Sequence, residues 1–220
     1  MIAIFAGNGI FPKEIIKSLV IQQKSYIIIN LSTKNYKDSY KINLGKFGQI
    51  IKILKKHKVK EVIFAGKINR PNFTSLRFDL TSLRFISKLK VAFKKGDGGL
   101  LNFASQVLRY YNIKVVPSHK YCKNLLLAGL ATNNKPSSID IQDFKKANQI
   151  LGALSRYDNA QGIIVDNGYV LSIEAAEGTD LMLKRTYNLK KKLGNKKTGI
   201  LVKLPKEGQS LNYDLPTIGI

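Results

Sequence analysis

Through the first half of the chain, short runs of consecutive apolar residues alternate with stretches whose apolar positions recur every three or four residues. Residues 1–6 form the first run, and Tyr26-Ile27-Ile28-Ile29-Asn30-Leu31 the second. Glu61-Val62-Ile63-Phe64-Ala65 is the third and Ile113-Lys114-Val115-Val116 the fourth. A strand without polar alternation has both faces buried, as in a parallel sheet covered by helices on both sides. Between the runs, Pro12 suits the first turn of a helix over 12–22. Ile50, Ile51, Ile53 and Leu54 mark a second helix after Gly48, and residues 100–110 a third. This order predicts a Rossmann-like parallel sheet.

The pattern changes after Thr-Asn-Asn-Lys-Pro-Ser-Ser at 132–138, a turn-rich stretch that reads as a linker. Residues 139–154 return to helical spacing. Gly162-Ile163-Ile164-Val165 and Tyr169-Val170-Leu171-Ser172-Ile173 then flank Asn167-Gly168, a strong hairpin signal. Leu181, Leu183, Leu189 and Leu193 alternate with lysines, predicting a helix with Thr179 or Asp180 as its cap. A strand over 199–203 and a Pro-containing tail close the chain. The expected organisation is an N-terminal Rossmann-like domain over 1–134 and a second α/β domain over 135–220.

An apolar fraction of 44% over 220 residues is enough for a sizeable core. The single cysteine, Cys122, allows no internal disulfide, which suits a reducing compartment and reads as a buried thiol. Met1-Ile2-Ala3-Ile4-Phe5-Ala6 is too short for the apolar part of a signal peptide, so a cytoplasmic location is expected. No apolar run approaches the ~20 residues that span a bilayer; the stretch 125–131 is too short and reads as core. The formal charge of +23 suits nucleic acid, an anionic membrane or a diphosphate. The lysines are scattered over polar helix faces, such as Lys52, Lys55 and Lys56, with no aromatic-interleaved basic ribbon. Nucleic acid is therefore the lesser reading, with electrostatic contact to an anionic membrane a by-product of the charge. His57 and His119 have no partners at zinc-ligand spacing.

The densest chemistry lies at Glu174-Ala175-Ala176-Glu177-Gly178-Thr179-Asp180, where the hairpin ends and the next helix begins. A helix amino end exposes N–H groups and partial positive charge, which suits phosphate. Glu174, Glu177 and Asp180 beside it can hold Mg2+, or they are the solvated acids of a capped helix; spacing leaves both readings open. Ala6-Gly7-Asn8-Gly9 follows the first strand, where open α/β sheets bind ligands, but it lacks a dinucleotide fingerprint. Arg70 after the third strand can fork onto paired phosphate oxygens or be a surface arginine. Asp97 is either a helix cap or an acid near a metal.

Six segments in order resemble the LpxI family, the UDP-2,3-diacylglucosamine pyrophosphatases of lipid A synthesis. They are Ala6-Gly7-Asn8-Gly9 with Phe11-Pro12; Ala65-Gly66 with Arg70-Pro71; Gly96-Asp97 with Leu100-Leu101; Asp158 with Gln161-Gly162; Glu174 through Arg185; and Lys203-Leu204-Pro205-Lys206 running to Asp214-Leu215-Pro216-Thr217-Ile218-Gly219. In the closing segment Glu207, Ser210 and Asn212 depart from the family's usual proline, aspartate and arginine, and the family runs beyond the position of Ile220.

The resemblance implies hydrolysis of UDP-2,3-diacylglucosamine to UMP and 2,3-diacylglucosamine 1-phosphate in a cleft between two domains, with Mg2+. It implies a catalytic aspartate in the closing segment, assigned here to Asp214 (a turn-initiating aspartate before Pro216 is the alternative). Substrate contacts are expected at Gly7, Asn8, Arg70, Gln161, Thr179, Arg185 and Lys203, and metal contacts at Glu174, Glu177 and Asp180. It also implies a homodimer, peripheral at the cytoplasmic face of the inner membrane. The substituted closing segment motivates a second reading, a member that binds the acylated UDP-sugar without cleaving it.

Overall fold

The computed structural model describes residues 1–68, 72–94, 96–123, 133–157, 160–194 and 198–206, with the backbone alone at 96 and 97. The chain divides into two compact units, Met1–Ala128 and Gly129–Ile220.

The first unit is a five-stranded parallel sheet in the order β3-β2-β1-β4-β5. Its strands are β1 (Ile2–Ala6), β2 (Tyr26–Asn30), β3 (Ser39–Lys41), β4 (Glu61–Ala65) and β5 (Lys114–Val115). β1 lies at the centre, in register from Ile2 opposite Tyr26 and Glu61 to Ala6 opposite Asn30 and Ala65. Its apolar run has the expected cause. Ile2 and Ile4 pack with Ile15 and Leu19 of α1 (Phe11–Ile21) on one face. Ala3 and Phe5 pack with Ile51 and Leu54 of α2 (Phe47–Lys56) on the other. Successive side chains leave a strand on opposite sides, so a strand buried on both faces must be apolar throughout. Burying a large aliphatic side chain such as Ile15 or Leu54, both 0% exposed, contributes about 1.5–3 kcal/mol.

Three elements in this unit have no counterpart in the sequence reading. β3 is a short polar edge strand. Helices α3 (Leu80–Leu83) and α4 (Ile86–Lys94) occupy the stretch before α5 (Gly96–Tyr110). They are held by an aromatic-rich cluster of Phe85, Leu89, Ala92, Phe103 and Val107, which only the folded chain brings together. Asp79 caps α3, accepting from the Ser82 amide at 2.8 Å, and its other oxygen accepts from the Gln49 amide at 3.1 Å. Burial alone would raise the Asp79 pKa, but the bonds from Ser82 and from the 48 and 49 amides hold it below its usual value. Cys122 is buried, and burial pushes its thiol up.

In the second unit, α6 (Ser138–Ser155) packs on an antiparallel sheet ordered β7-β6-β8. The strands are β6 (Gly162–Asp166), β7 (Tyr169–Ile173) and β8 (Ile200–Lys203). Ser137 and Asp140 form a reciprocal capping box on α6. The hairpin turns at Asn167 and Gly168, both at positive φ (50° and 79°), the pair of values a tight hairpin turn demands. Asp143, buried in α6, accepts from the Gly168 amide at 2.7 Å and ties that turn to the helix.

The last helix, α7 (Thr179–Lys192), corrects one expectation. Its cap is Gly178, at φ 78°, not Thr179 or Asp180. The buried face carries Met182 and Thr186, while Leu181, Leu183, Leu189 and Leu193 stay exposed. Thr186 faces the sheet because its hydroxyl lies 2.5 Å from that of buried Ser172, so a polar pair decides the orientation.

Candidate functional site

Antiparallel pairing explains how distant segments of the second unit meet. With β6 between β7 and β8, the start of β6 lies beside the ends of both neighbours. Gly162 pairs with Lys203, and the Glu174 amide donates to the Gly162 carbonyl at 2.8 Å. The Gln161 carbonyl accepts from the Leu204 amide at 2.9 Å. The amino end of α7 follows Glu174 after a short turn. Gln161, Glu174, Thr179 and Lys203 therefore share one end of the sheet.

Three of them touch. The Lys203 ammonium donates to the Thr179 hydroxyl at 2.6 Å, and that hydroxyl donates to Glu174 Oε1 at 3.0 Å. Lys203 Nζ also lies 3.8 Å from Glu174 Oε2, and the two side chains are only 10% and 14% exposed. Oε2 is buried and accepts no hydrogen bond among the described residues. A buried carboxylate oxygen with spare capacity beside a half-buried ammonium is costly to keep and calls for an explanation. Gly162 makes the approach possible, since a Cβ there would lie 2.6 Å from Glu174 Oε2.

Above this group, α7 begins without a side-chain cap among the described residues. A Cβ on Gly178 would meet nothing within 4 Å. The first N–H groups of α7 thus have no side-chain cap among the described residues and lie near a half-buried lysine, which is chemistry suited to an anion.

The three carboxylates expected at a metal do not converge. Glu177 accepts from Arg185 at 2.7 Å, and that bond holds its carboxyl below the usual range. Arg185 also donates to the Ile173 carbonyl at 3.2 Å, so it braces the turn between β7 and α7. Asp180 is exposed in the first turn of α7. Among the described residues no three His, Cys, Asp or Glu side chains form a group able to hold a metal ion. These residues do not by themselves fit a divalent cation.

In the first unit, Gly7 and Asn8 sit where β1 leaves the sheet. The Asn8 amide donates to the Lys67 carbonyl at 2.7 Å, and the Lys67 amide returns a bond to the Asn8 carbonyl at 2.9 Å. A Cβ on Gly7 would lie 2.6 Å from the Lys67 carbonyl oxygen. Thr33 donates to Asn8 Oδ1 at 3.1 Å and the Tyr36 hydroxyl to the Gly7 carbonyl at 2.9 Å. The turns after β1, β2 and β4 are thus stitched together at the carboxyl edge of the sheet, where such sheets bind ligands. Thr33 and Tyr36 were missed in the sequence, because only the parallel pairing of β1 with β2 brings them to Gly7 and Asn8. Arg70, Asp158 and Asp214, and the Asp97 side chain, lie outside the described residues.

Residues 1–125 match a family model described as the LpxI N-terminal domain, and residues 127–220 one described as the LpxI C-terminal domain. A relative from Caulobacter vibrioides, named UDP-2,3-diacylglucosamine pyrophosphatase LpxI, is 30% identical over 229 residues, covering 100% of this chain and 81% of that protein.

Proposed function

The chain belongs to the LpxI family, and from that premise we propose that it hydrolyses the diphosphate of UDP-2,3-diacylglucosamine in the lipid A pathway. The observation that carries the reading is the open amino end of α7 beside the Lys203, Thr179 and Glu174 group. In the reaction a water oxygen bonds to the α-phosphorus next to uridine. The bridging P–O bond breaks, and the acylated sugar 1-phosphate leaves with the bridging oxygen, giving UMP.

Such a step needs negative charge neutralised on the phosphate and a water held in line. In this proposal Lys203 and the α7 N–H groups supply the first. Glu174 Oε2, which has spare acceptor capacity, faces the water. Thr179 holds carboxylate and ammonium in position. Arg70, Gln161 and the Gly7-Asn8 turn contact the substrate, and Arg185 holds the Glu177 turn. Asp214 is the proposed catalytic residue. Mg2+ dependence is proposed from the family resemblance alone. No helix among the described residues is long and apolar enough to cross a membrane; peripheral contact with the cytoplasmic face and a homodimer complete the proposal.

The test is UMP release from UDP-2,3-diacylglucosamine by the purified chain, with Mg2+ and with chelator. Metal-dependent UMP supports the reading. The Asp214→Ala protein should lose it, and full turnover by that protein would refute the central assignment. A folded chain that binds the substrate but releases no UMP would instead support the non-cleaving reading that Ser210 and Asn212 motivate.

A further inference from the structure

The face of α3 and α4 away from the aromatic-rich cluster is exposed in the described structure. The two helices bury Ser82, Leu89 and Ala92, and Phe85 between them is buried too. Facing outward are Leu80, Leu83 and Val91, which are 88%, 50% and 54% exposed. Arg84, Ser87 and Lys88 lie between them, also exposed. Arg77, Lys90 and Lys94 flank the stripe. From 77 to 94 the chain carries five cations and one acid, Asp79, whose oxygens accept from Ser82 and Gln49. The surface is thus cationic and aliphatic at once.

We propose that this face seats on an anionic lipid bilayer, with Leu80, Leu83 and Val91 entering the headgroup region and Arg84 and Lys88 on lipid phosphates. Charge alone would also suit nucleic acid. An exposed aliphatic residue gains nothing from a phosphate backbone, whereas a single-stranded nucleic acid is held on exposed aromatic rings, which α3 and α4 lack. Aliphatic side chains gain from entering the boundary between headgroups and acyl chains, and neighbouring arginine and lysine gain from anionic lipid phosphates. The biological purpose rests on the lipid-pathway reading above; the test does not, because it contains no substrate.

The chain has no tryptophan, so one introduced residue reports on its own surroundings. The full-length Leu80→Trp protein is mixed with phosphatidylcholine vesicles, with and without phosphatidylglycerol. The Tyr187→Trp protein serves as control, since Tyr187 is 61% exposed on α7. The expected result is a blue-shifted emission for Leu80→Trp with phosphatidylglycerol alone, and none for Tyr187→Trp. Adding Arg84→Glu and Lys88→Glu should weaken vesicle affinity by about thirtyfold or more, since each cation near an anionic surface is worth about fivefold. Far-UV circular dichroism checks that each variant is folded. Equal shifts on neutral vesicles, a shift at position 187 instead of 80, or no shift at all overturns the proposal. So does a response to a single-stranded oligonucleotide as strong as that to phosphatidylglycerol. Vesicle failure with intact UMP release leaves the hydrolase reading standing, and vesicle binding without UMP release does the reverse.

Discussion

Replacing Lys203 by methionine should destabilise the sheet end of the second unit, and replacing Glu174 by glutamine in the same chain should restore most of the loss. The wild-type charges lie 3.8 Å apart. At an effective dielectric near 20 their attraction is about 4 kcal/mol before desolvation is subtracted. Removing the cation alone leaves a carboxylate whose Oε2 has no bond and whose Oε1 keeps Thr179. Stranding one member of a buried pair costs about 3–5 kcal/mol, and the residual exposure of both groups lowers this to about 2–3. Glu174→Gln removes the stranded charge. The expected coupling across the double-mutant cycle is therefore about 2 kcal/mol. Native-state hydrogen exchange of β6 and β8 amides at neutral pH reads it, because that assay resolves the second unit from the first. Additive effects, within about 0.5 kcal/mol, would show that the two groups do not sense each other. The ion-pair account of the site would then fail, and with it the assignment of Lys203 as a charge poised for phosphate.

Lys203→Met and Thr179→Val should each lower kcat for UMP release by about 10²-fold or more, the scale of losing one preorganised donor, in a substrate-saturated assay. Gly66→Ala should destabilise the first unit by at least about 3 kcal/mol in urea unfolding, since its Cβ would meet the Asn8 carbonyl oxygen at 2.4 Å at φ 82°. Gly9→Ala, at φ 105° with nothing within 4 Å, should cost only about 1–2 kcal/mol, the strain of the backbone alone. Asp79→Ala should cost about 1–2 kcal/mol at neutral pH. Because the Asp79 pKa is held below its unfolded value of about 3.9, its stabilisation is complete above that value. It fades as pH falls through the lower folded value, so the gap between wild type and variant should narrow on acidification in acid unfolding. Thr186→Val strands the buried Ser172 hydroxyl and should cost about 1–3 kcal/mol, read as a lower thermal midpoint.

The parallel sheet of the first unit was legible because both faces of β1, β2 and β4 are buried, and such strands carry their burial in their composition. The hairpin of the second unit was legible because Asn167-Gly168 satisfies a backbone requirement that few dipeptides meet. The closing helix was harder. Its leucines marked the helix, but burial fell to Met182 and Thr186, where the Thr186 hydroxyl meets that of Ser172 on β7. Local spacing holds no information about such a partner. β3, α3 and α4 were illegible for the same reason: a three-residue polar edge strand and two short helices exist through β2, the Asp79 cap and a cluster that includes α5. At the site, the sequence determined which residue types crowd around Gly178, and through the family resemblance which chemistry they suit. The tertiary structure alone decided their pairing. It tied Glu177 to Arg185, left Asp180 exposed and set Glu174, Thr179 and Lys203 in contact, because antiparallel pairing brings the start of one strand to the ends of two others. Spacing along the chain records which groups are near in sequence, and hydrogen-bond register across strands decides which of them meet.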